Sequence, residues 1–260
     1  DPEFPPDLSC LAINQEELPP IAKTVEWKRL PEVYKQKQLS LCSDKIGPND
    51  VNQGKLKNCY FLSALSVLAE KREFVQRLFE TKEVTPTGCY SVWICDSGEW
   101  KNIIIDDYIP CITKKNQLMP YFSRIKGNDI WVSLLEKAYA KLYRHYFTVH
   151  SGYLAEALPA LTGAPVESLK YKSHKHLNFA EQLWNFITKN LEKGSIICAN
   201  CHDNPLINAK QLGLITSHAY AIFDARVVQV SEGVTEKIIK LRNPWGHHEW
   251  KGEWGDKQPC

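Results

Sequence analysis

Apolar residues recur three and four positions apart in two stretches of the chain, which predicts two helices. The first stretch covers about residues 58–70 and places Cys59 in the first turn of its helix. The second covers residues 128–147 and is the clearest helical pattern in the chain. Either Asn128 or Asp129 is predicted to cap its N-terminus.

A shorter helix is predicted at 154–161 and an amphipathic helix at 178–194, which ends in a glycine that is typical of a C-terminal cap. β-Branched and aromatic residues dominate 88–95 and 99–109. The Asp-Ser-Gly turn between these two runs predicts a hairpin. Residues 110–127 contain two prolines and are predicted to form a loop.

The last third of the chain is rich in strand-forming residues. Its predicted strands lie at 195–200, 217–230 and 236–243. The first 50 residues show few periodic apolar positions and are predicted to be an extended segment over the body. The fold class is therefore α+β in two lobes. A helical lobe at 1–163 carries Cys59, and a sheet-rich lobe occupies 164–260.

Composition and charge exclude several classes of function. The 260-residue chain has a net charge of +2 with no long basic run, which argues against nucleic acid as the main partner. No apolar run approaches the roughly 18 residues that span a bilayer, so no transmembrane segment is predicted. The first residues do not resemble a signal peptide. Nine irregularly spaced cysteines therefore predict reduced thiols and a cytoplasmic location.

The motif CANCH contains Cys198, Cys201 and His202. Its C-x-x-C-H pattern occurs at haem attachment sites, and C-x-x-C also occurs in redox dithiols and zinc sites. Haem attachment needs an exported protein, and structural zinc needs a second pair of ligands. We therefore predict neither haem nor zinc. A haem or zinc protein is the alternative, which bound metal or a Soret band would reveal.

Four other residues have the chemistry of a thiol protease. Cys59 at a helix start has a setting that lowers the pKa of a thiol. His218 opens a strand, and Asn243 ends one with an amide that can orient an imidazole. A thiol nucleophile also needs oxyanion donors, which Gln53 and the Cys59 N–H can supply. The chain presents Gln53, Cys59, His218 and Asn243 in the order of papain-like thiol hydrolases.

Longer motifs resemble the protease core of the calpain family, in order and spacing, over nearly the whole chain. They include VEWKRLPE (25–32), QGKLKNCYFLSAL (53–65), GEWKNIIIDDYIP (98–110), WVSLLEKAYAKLY (131–143), SHAYAI (217–222) and LRNPWGHHEWKGEWGD (241–256). LLEKAYAK and RNPWG are highly specific. The resemblance implies a papain-like, two-lobed cysteine protease fold with the nucleophile in the helical lobe.

The resemblance also implies roles for individual residues. Cys59 matches the nucleophile, His218 the general acid/base, Asn243 the residue that orients this histidine, and Gln53 the oxyanion-hole glutamine. Trp245 matches a tryptophan that packs in the cleft and can wedge between the lobes in the inactive state. The implied activity is intracellular endoproteolysis of protein and peptide substrates in an extended conformation.

Calpains bind calcium in each lobe of the protease core, so the resemblance implies calcium as a cofactor. Asp50 and Glu156 match acidic ligands of the first site, together with backbone carbonyls at 43–45. Glu249 and Asp256 match acidic ligands of the second site. Carboxylate and carbonyl oxygens are the ligands that calcium prefers. Without the resemblance, all four acids would be interpreted as solvated surface residues.

The sequence departs from the family pattern at several positions. Tyr60 replaces a tryptophan, Asn58 an aspartate and Ser217 a glycine. The chain also stops soon after Asp256, where family cores continue. We therefore expect an excised core without its regulatory domains and with an incomplete second calcium site. The alternative function is a catalytically silent scaffold that binds partners through the same cleft, although the complete Gln-Cys-His-Asn set favours an enzyme.

Overall fold

The protein combines α-helices with antiparallel strands, which agrees with the predicted α+β class. The structure is a computed structural model and describes residues 1–169, 178–201 and 208–256. Its α-helices are α1 (Leu30–Val33), α2 (Cys59–Leu68), α3 (Arg72–Gln76), α4 (Trp131–Leu142), α5 (Leu154–Thr162) and α6 (Phe179–Glu192). Its strands are β1 (Glu26–Arg29), β2 (Cys89–Asp96), β3 (Glu99–Asp106), β4 (Tyr108–Lys114), β5 (Gln117–Pro120), β6 (Ile197–Cys201), β7 (His218–Ser231) and β8 (Val234–Arg242).

Helix α2 lies inside the main hydrophobic core. It begins at Cys59, and every residue from Tyr60 to Leu68 is buried. Helix α4 packs beside it, with the rings of Phe61 and Tyr139 stacked at a centroid distance of 4.2 Å. Both predicted helices are confirmed, and α2 is enclosed on all sides because its polar positions are small serines.

The start of α4 differs from the prediction. The helix begins at Trp131, and the residue at its N-cap position is Ile130, which makes no side-chain capping bond. Asp129 instead accepts hydrogen bonds from the Ser43 backbone N–H at 2.5 Å and from the Ser43 hydroxyl at 2.9 Å. The carboxylate is therefore engaged by a distant loop, which the local sequence does not reveal.

The predicted loop at 110–127 is wrong, because strands β4 and β5 run through it. Lys115 and Asn116 join these strands with positive φ angles of 50° and 60°. Pro110 lies just beyond the last residue pair of the β4–β5 ladder. In the β1–β4 ladder Pro110 lies opposite Trp27, and its carbonyl accepts the Tyr121 N–H at 2.8 Å. Pro120 is the last residue of the β4–β5 ladder, so this proline marks the end of a strand and does not indicate a loop.

The first 50 residues are more structured than predicted. They contain β1, α1 and short 3₁₀ turns. Strand β1 pairs with β4 and makes the sheet order β1-β4-β5. Phe4, Leu11 and Leu30 are buried in the main core. This segment therefore contributes to the helical lobe and does not simply cover it.

The predicted hairpin is confirmed as strands β2 and β3. The two strands pair antiparallel, and the pairing next to the turn joins Asp96 to Glu99. Ser97 and Gly98 form the turn with φ angles of 54° and 87°. Two consecutive positive φ angles are what a tight hairpin turn of the I′ type requires.

The last third of the chain forms the sheet β6-β7-β8, as its strand-rich pattern predicts. Helix α6 packs on this sheet around a small cluster of buried isoleucines, Ile187, Ile197 and Ile222. The Ser63 hydroxyl of α2 donates a hydrogen bond to the Ala219 carbonyl of β7 at 2.9 Å. Helix α2 thus touches the beginning of β7. The lobe boundary at residue 163 stays a prediction.

No helix in the described ranges has both the length and the apolar character that crossing a bilayer requires.

Candidate active site

Cys59 lies at the start of helix α2. The Asn58 carbonyl accepts the N–H groups of Phe61 and Leu62 at 3.0 and 3.1 Å, and this begins the helix. The Cys59 N–H is therefore among the first amides of the helix, which have no intrahelical acceptor. The thiol is half-buried. The unpaired N–H groups at a helix N-terminus favour negative charge beside them.

A buried polar network holds the residue before Cys59. The Asn58 amide nitrogen donates to Glu136 Oε1 at 2.7 Å, and the Ser123 N–H donates to Glu136 Oε2 at 2.9 Å. Burial raises the pKa of the Glu136 carboxyl, against the opposing effect of these donors. The start of α2 is therefore tied to α4. Sequence reasoning missed Glu136, although a glutamate inside the apolar LLEKAYAK motif was a usable signal.

His218 and Asn243 lie side by side at one end of the β7–β8 pair. His218 begins β7 and Asn243 directly follows β8, so the antiparallel pairing brings them together. His218 Nε2 lies 2.8 Å from Asn243 Oδ1, although the residues are 25 positions apart. Burial lowers the pKa of His218, while the Asn243 hydrogen bond opposes this shift.

The surrounding hydrogen bonds determine which nitrogen of His218 carries the proton. The Asn243 amide nitrogen donates to the His247 carbonyl at 2.8 Å, and the Trp245 N–H donates to Asn243 Oδ1 at 3.0 Å. The amide oxygen therefore faces the imidazole and must accept a hydrogen bond from Nε2–H. Nδ1 of the neutral ring then holds a lone pair that can accept a thiol proton.

Two aromatic rings enclose His218. The Trp245 ring lies beside it at a centroid distance of 4.8 Å, and the Tyr220 ring meets it edge-on at 5.1 Å. Burial is the main cause that raises the pKa of Tyr220. The nearby thiols, including Cys59, raise it more weakly. Tyr220 is therefore a neighbour of both Cys59 and His218. Among the described residues, the Cys59 thiol makes no hydrogen bond to His218.

Gln53 lies where the loop before α2 meets the residues after Asn243. Its backbone N–H donates to the Pro244 carbonyl at 3.2 Å, and its side-chain nitrogen donates to the Leu56 carbonyl at 2.9 Å. One side-chain N–H is left for another acceptor, and the buried Oε1 has no partner in the described structure. The next residue is Gly54. A side chain there would clash with the backbone, because a Cβ would lie 1.9 Å from the Phe122 carbonyl oxygen.

The residues predicted for the first calcium site lie in separate turns. Asp50 is half-buried, and its Oδ2 accepts the Gly47 N–H at 2.9 Å. Burial is the main cause that raises the pKa of Asp50. Glu156 is exposed, and its Oε2 accepts the Tyr153 N–H at 2.9 Å. Each carboxylate already accepts a backbone N–H and keeps further lone pairs for a cation.

The residues predicted for the second calcium site, Glu249 and Asp256, are both exposed. Glu249 acts electrostatically on Arg242, as does Asp50 of the first predicted site. Their carboxylate oxygens fit calcium by chemistry. Across the described ranges, however, no three His, Cys, Asp or Glu side chains converge on one point. The structure therefore does not bring either predicted ligand set into a preformed carboxylate cage.

The two cysteines of the CANCH motif lie in β6, which agrees with their predicted strand setting. Cys198 and Cys201 are three positions apart, so their side chains point to opposite faces of the strand. Burial raises the pKa of Cys198 to about 12. This geometry does not let the two thiols chelate one metal ion. His202 lies outside the described residues.

Comparison with known proteins gives a consistent result. A family profile described as "Calpain family cysteine protease" matches residues 1–260. The chain is 35% identical over 269 residues to the calpain-type cysteine protease DEK1 of Zea mays, covering 100% of this chain and 12% of that protein. It is 33% identical over 261 residues to human calpain-14, covering 98% of this chain and 36% of the relative. It is 31% identical over 270 residues to the human calpain-2 catalytic subunit, covering 100% of this chain and 36% of that subunit.

Proposed function

Since the chain belongs to the calpain family of cysteine proteases, we propose that it is a calcium-dependent cysteine endopeptidase that cleaves proteins at a limited number of sites. The observation that carries the proposal is the His218–Asn243 pair. Its hydrogen bond of 2.8 Å leaves Nδ1 of the imidazole ready to exchange a proton with a thiol. Cys59, at the nearby start of a helix, is the proposed nucleophile.

The proposed reaction proceeds through an acyl-enzyme. The Cys59 thiol transfers its proton to His218 Nδ1, and the thiolate attacks the peptide carbonyl carbon. The imidazolium then gives this proton to the leaving amine as the C–N bond breaks. A water molecule, deprotonated by His218, attacks the thioester. The proton returns from His218 to the Cys59 sulfur as the C–S bond breaks, and the product leaves as a carboxylic acid that ionises in water. Asn243 keeps the imidazole in the required tautomer throughout.

The oxyanion of each tetrahedral intermediate needs two donors. The Cys59 N–H is one proposed donor, because it is an early amide of α2. The second is the N–H of the Gln53 side chain that does not donate to Leu56. Trp245 is proposed to line the cleft, and its ring already covers one side of His218.

Calcium is proposed to bind Asp50, Glu156 and the carbonyls at 43–45 in the first lobe, and Glu249 and Asp256 in the second. When bound, the ion supplies positive charge that gathers hard oxygen ligands from separate turns. Asp50 is three residues from Gln53 and Glu249 is six residues from Asn243. Each proposed ligand set is therefore connected by a short backbone path to one half of the active site.

The substrates are proposed to be protein segments in an extended conformation. The chain spans 12% to 36% of the curated relatives described above. Regulation by further domains and action in the cytoplasm are therefore proposals as well. A silent scaffold that only binds proteins is the competing function.

A thiol-directed peptide vinyl sulfone separates the enzyme from the scaffold. We expect calcium-dependent labelling of Cys59 and hydrolysis of a fluorogenic peptide, and we expect Cys59→Ala to lose at least about a thousandfold in kcat/KM. The exposed thiol of Cys89 provides the control. Cys89→Ala should keep the labelling of Cys59 and the hydrolysis of the peptide. Hydrolysis that survives in Cys59→Ala would exclude the proposed nucleophile.

The calcium proposal has its own test. Asp50→Ala and Asp256→Ala should each raise the calcium concentration that gives half-maximal labelling. Activity of the wild-type chain that is unchanged by a strong calcium chelator would contradict calcium dependence while leaving the thiol mechanism intact.

A further inference from the structure

Arg242 links the end of β8 to the opposite lobe. Its Nη1 donates to Asn49 Oδ1 at 2.6 Å across 193 positions of the chain. Asn49 lies in the short helical turn Pro48–Asp50, in the loop that leads to Gln53. The residue after Arg242 is Asn243, the partner of the His218 imidazole. A side chain next to the histidine-orienting residue is thus anchored in the lobe of the nucleophile.

A second hydrogen bond joins the same two segments. The Gln53 N–H donates to the Pro244 carbonyl at 3.2 Å. One cross-lobe contact therefore precedes Asn243 in the chain and the other follows it. Together they connect the loop at 47–53 to residues 242–244. The loop that carries the proposed oxyanion donor is held in register with the proposed orienting asparagine.

The charge environment of Arg242 suits a link of this kind. The side chain is half-buried, and its Nε is buried without a partner in the described structure. Burial lowers the pKa of the guanidinium, while the charges of Glu249 and Asp50 oppose this shift. Acids from both lobes therefore act electrostatically on this cation. A hydrogen bond from a cationic donor is also stronger than one between neutral groups.

We propose that Arg242, through its hydrogen bond to Asn49, is a positioning residue that sets Gln53 and Asn243 in register for catalysis. It touches neither Cys59 nor His218 in the described contacts. It acts by fixing where β8 ends relative to the loop before α2. Displacements of about 1 Å far from the reacting atoms can lower a rate roughly a hundredfold, so such a link has a measurable effect.

This inference rests on the proposed function and makes its own predictions. The variants are Arg242→Met, which keeps the aliphatic stem, Asn49→Ala, which removes the acceptor from an exposed loop residue, and the double variant. We expect each single change to lower kcat roughly tenfold with KM nearly unchanged. The kcat of the double variant should be no lower than that of the more impaired single variant, because both substitutions remove the same contact. Arg242→Lys should restore part of the rate.

A matched control is available in the same sheet. Arg226 of β7 is exposed and pairs only locally with Asp224 in the described structure. Arg226→Met removes the same charge from the same lobe and should leave kcat and KM unchanged. Additive losses in the double variant, or an equal loss in Arg226→Met, would overturn the proposal and indicate a general charge effect.

A measurement without turnover separates this inference from the proposed function. Hydrogen exchange of the Gln53 amide should accelerate in Arg242→Met and in Asn49→Ala, and not in Arg226→Met, because Gln53 donates to Pro244 beside the link. If exchange is unchanged in both variants, Arg242 does not position this loop. If exchange responds but the wild-type chain has no Cys59-dependent hydrolysis, the link is real and the proposed protease activity is wrong.

Discussion

The segment that carries Cys59 and the segment that carries His218 are supported by very different amounts of packing. Helix α2 is buried along its whole length after Cys59, inside the main core. Strand β7 is buried only over its first five residues, and the remainder of the β7–β8 pair exposes Val227, Val230 and Val234. One half of the site therefore lies on a rigid core element, and the other lies at the inner end of a largely solvated hairpin.

This difference shows how the two halves are held in place. Burial from Tyr60 to Leu68 determines the position of helix α2, and the hydrogen bond from Asn58 to Glu136 adds to it. The strand ends depend on a few directional hydrogen bonds, such as those made by Asn243 and Arg242. Elements with few buried apolar contacts open at lower free energy than core elements. We therefore expect the His218 half to be the more adjustable one.

The largest expected effect compares equivalent truncations in the two cores. Leu62→Ala in α2 should lower the free energy of unfolding by about 3–5 kcal/mol, because the side chain is fully enclosed. Ile187→Ala in the small cluster on α6 should cost about 2 kcal/mol, at the low end of the range, since few buried neighbours surround it. Urea unfolding measures both. Equal losses would show that the sheet lobe is as well packed as the helical lobe.

A smaller effect tests the close contact beside Gln53. Gly54→Ala would place a Cβ 1.9 Å from the backbone oxygen of Phe122, which cannot rotate away. We expect a loss of about 1–3 kcal/mol in stability, together with lower activity as the Gln53 loop shifts. Gly127→Ala is the matched control, because a Cβ there has no neighbour within 4 Å. A neutral Gly54→Ala variant would mean that this loop is as adjustable as the sheet lobe.

Ser217 offers the opposite substitution in the sheet lobe. It has φ of 51° directly before His218, a conformation that favours glycine. Ser217→Gly should therefore relieve backbone strain and raise stability by up to about 1 kcal/mol. Thermal unfolding measures the change, and Ser66→Gly in the middle of α2 should instead destabilise the protein. If Ser217→Gly is less stable than the wild type, the serine side chain stabilises the protein by more than its backbone strain costs.

The smallest expected effect concerns pH. Burial lowers the pKa of His218 in the folded state, whereas the unfolded chain has an ordinary value of about 6.5. Between these two values the unfolded chain binds more protons, so stability is lost as pH falls from about 6.5 toward the folded pKa.

His218→Gln should therefore weaken the dependence of the urea midpoint on pH over this window. Burial also lowers the pKa of His145 and His150. These residues stay in both proteins, so the difference between variant and wild type isolates His218. An identical pH dependence in the two proteins would contradict this linkage.

Local sequence was sufficient wherever neighbouring residues decide the structure. The periodic apolar pattern located α2, and the Asp-Ser-Gly turn located the β2–β3 hairpin, because both depend on contacts within a few positions. The same reasoning failed at 110–127, where two prolines suggested a loop. It also failed at Asp129, whose partner Ser43 lies 86 positions away.

For the candidate site, the order of Gln53, Cys59, His218 and Asn243 was available from the sequence, together with the family resemblance. The sequence could not supply the buried network of Asn58 and Glu136 or the anchoring of Arg242 on Asn49. Residues far apart in the chain meet only when the lobes pack. Only this packing decides which hydrogen-bond partners they find.

By itself, the sequence determined α2, α4, the β2–β3 hairpin and the strands of the last third, together with the family and the residues with protease chemistry. These follow from side-chain type and short-range spacing. Tertiary structure alone brought His218 Nε2 to 2.8 Å from Asn243 Oδ1. Nδ1 of the imidazole takes no part in this hydrogen bond. The tertiary structure also decided that the proposed calcium ligands lie in separate turns and that Arg242 joins the two lobes. The physical reason is that the distances and competing partners of these groups depend on packing between segments that no local pattern connects.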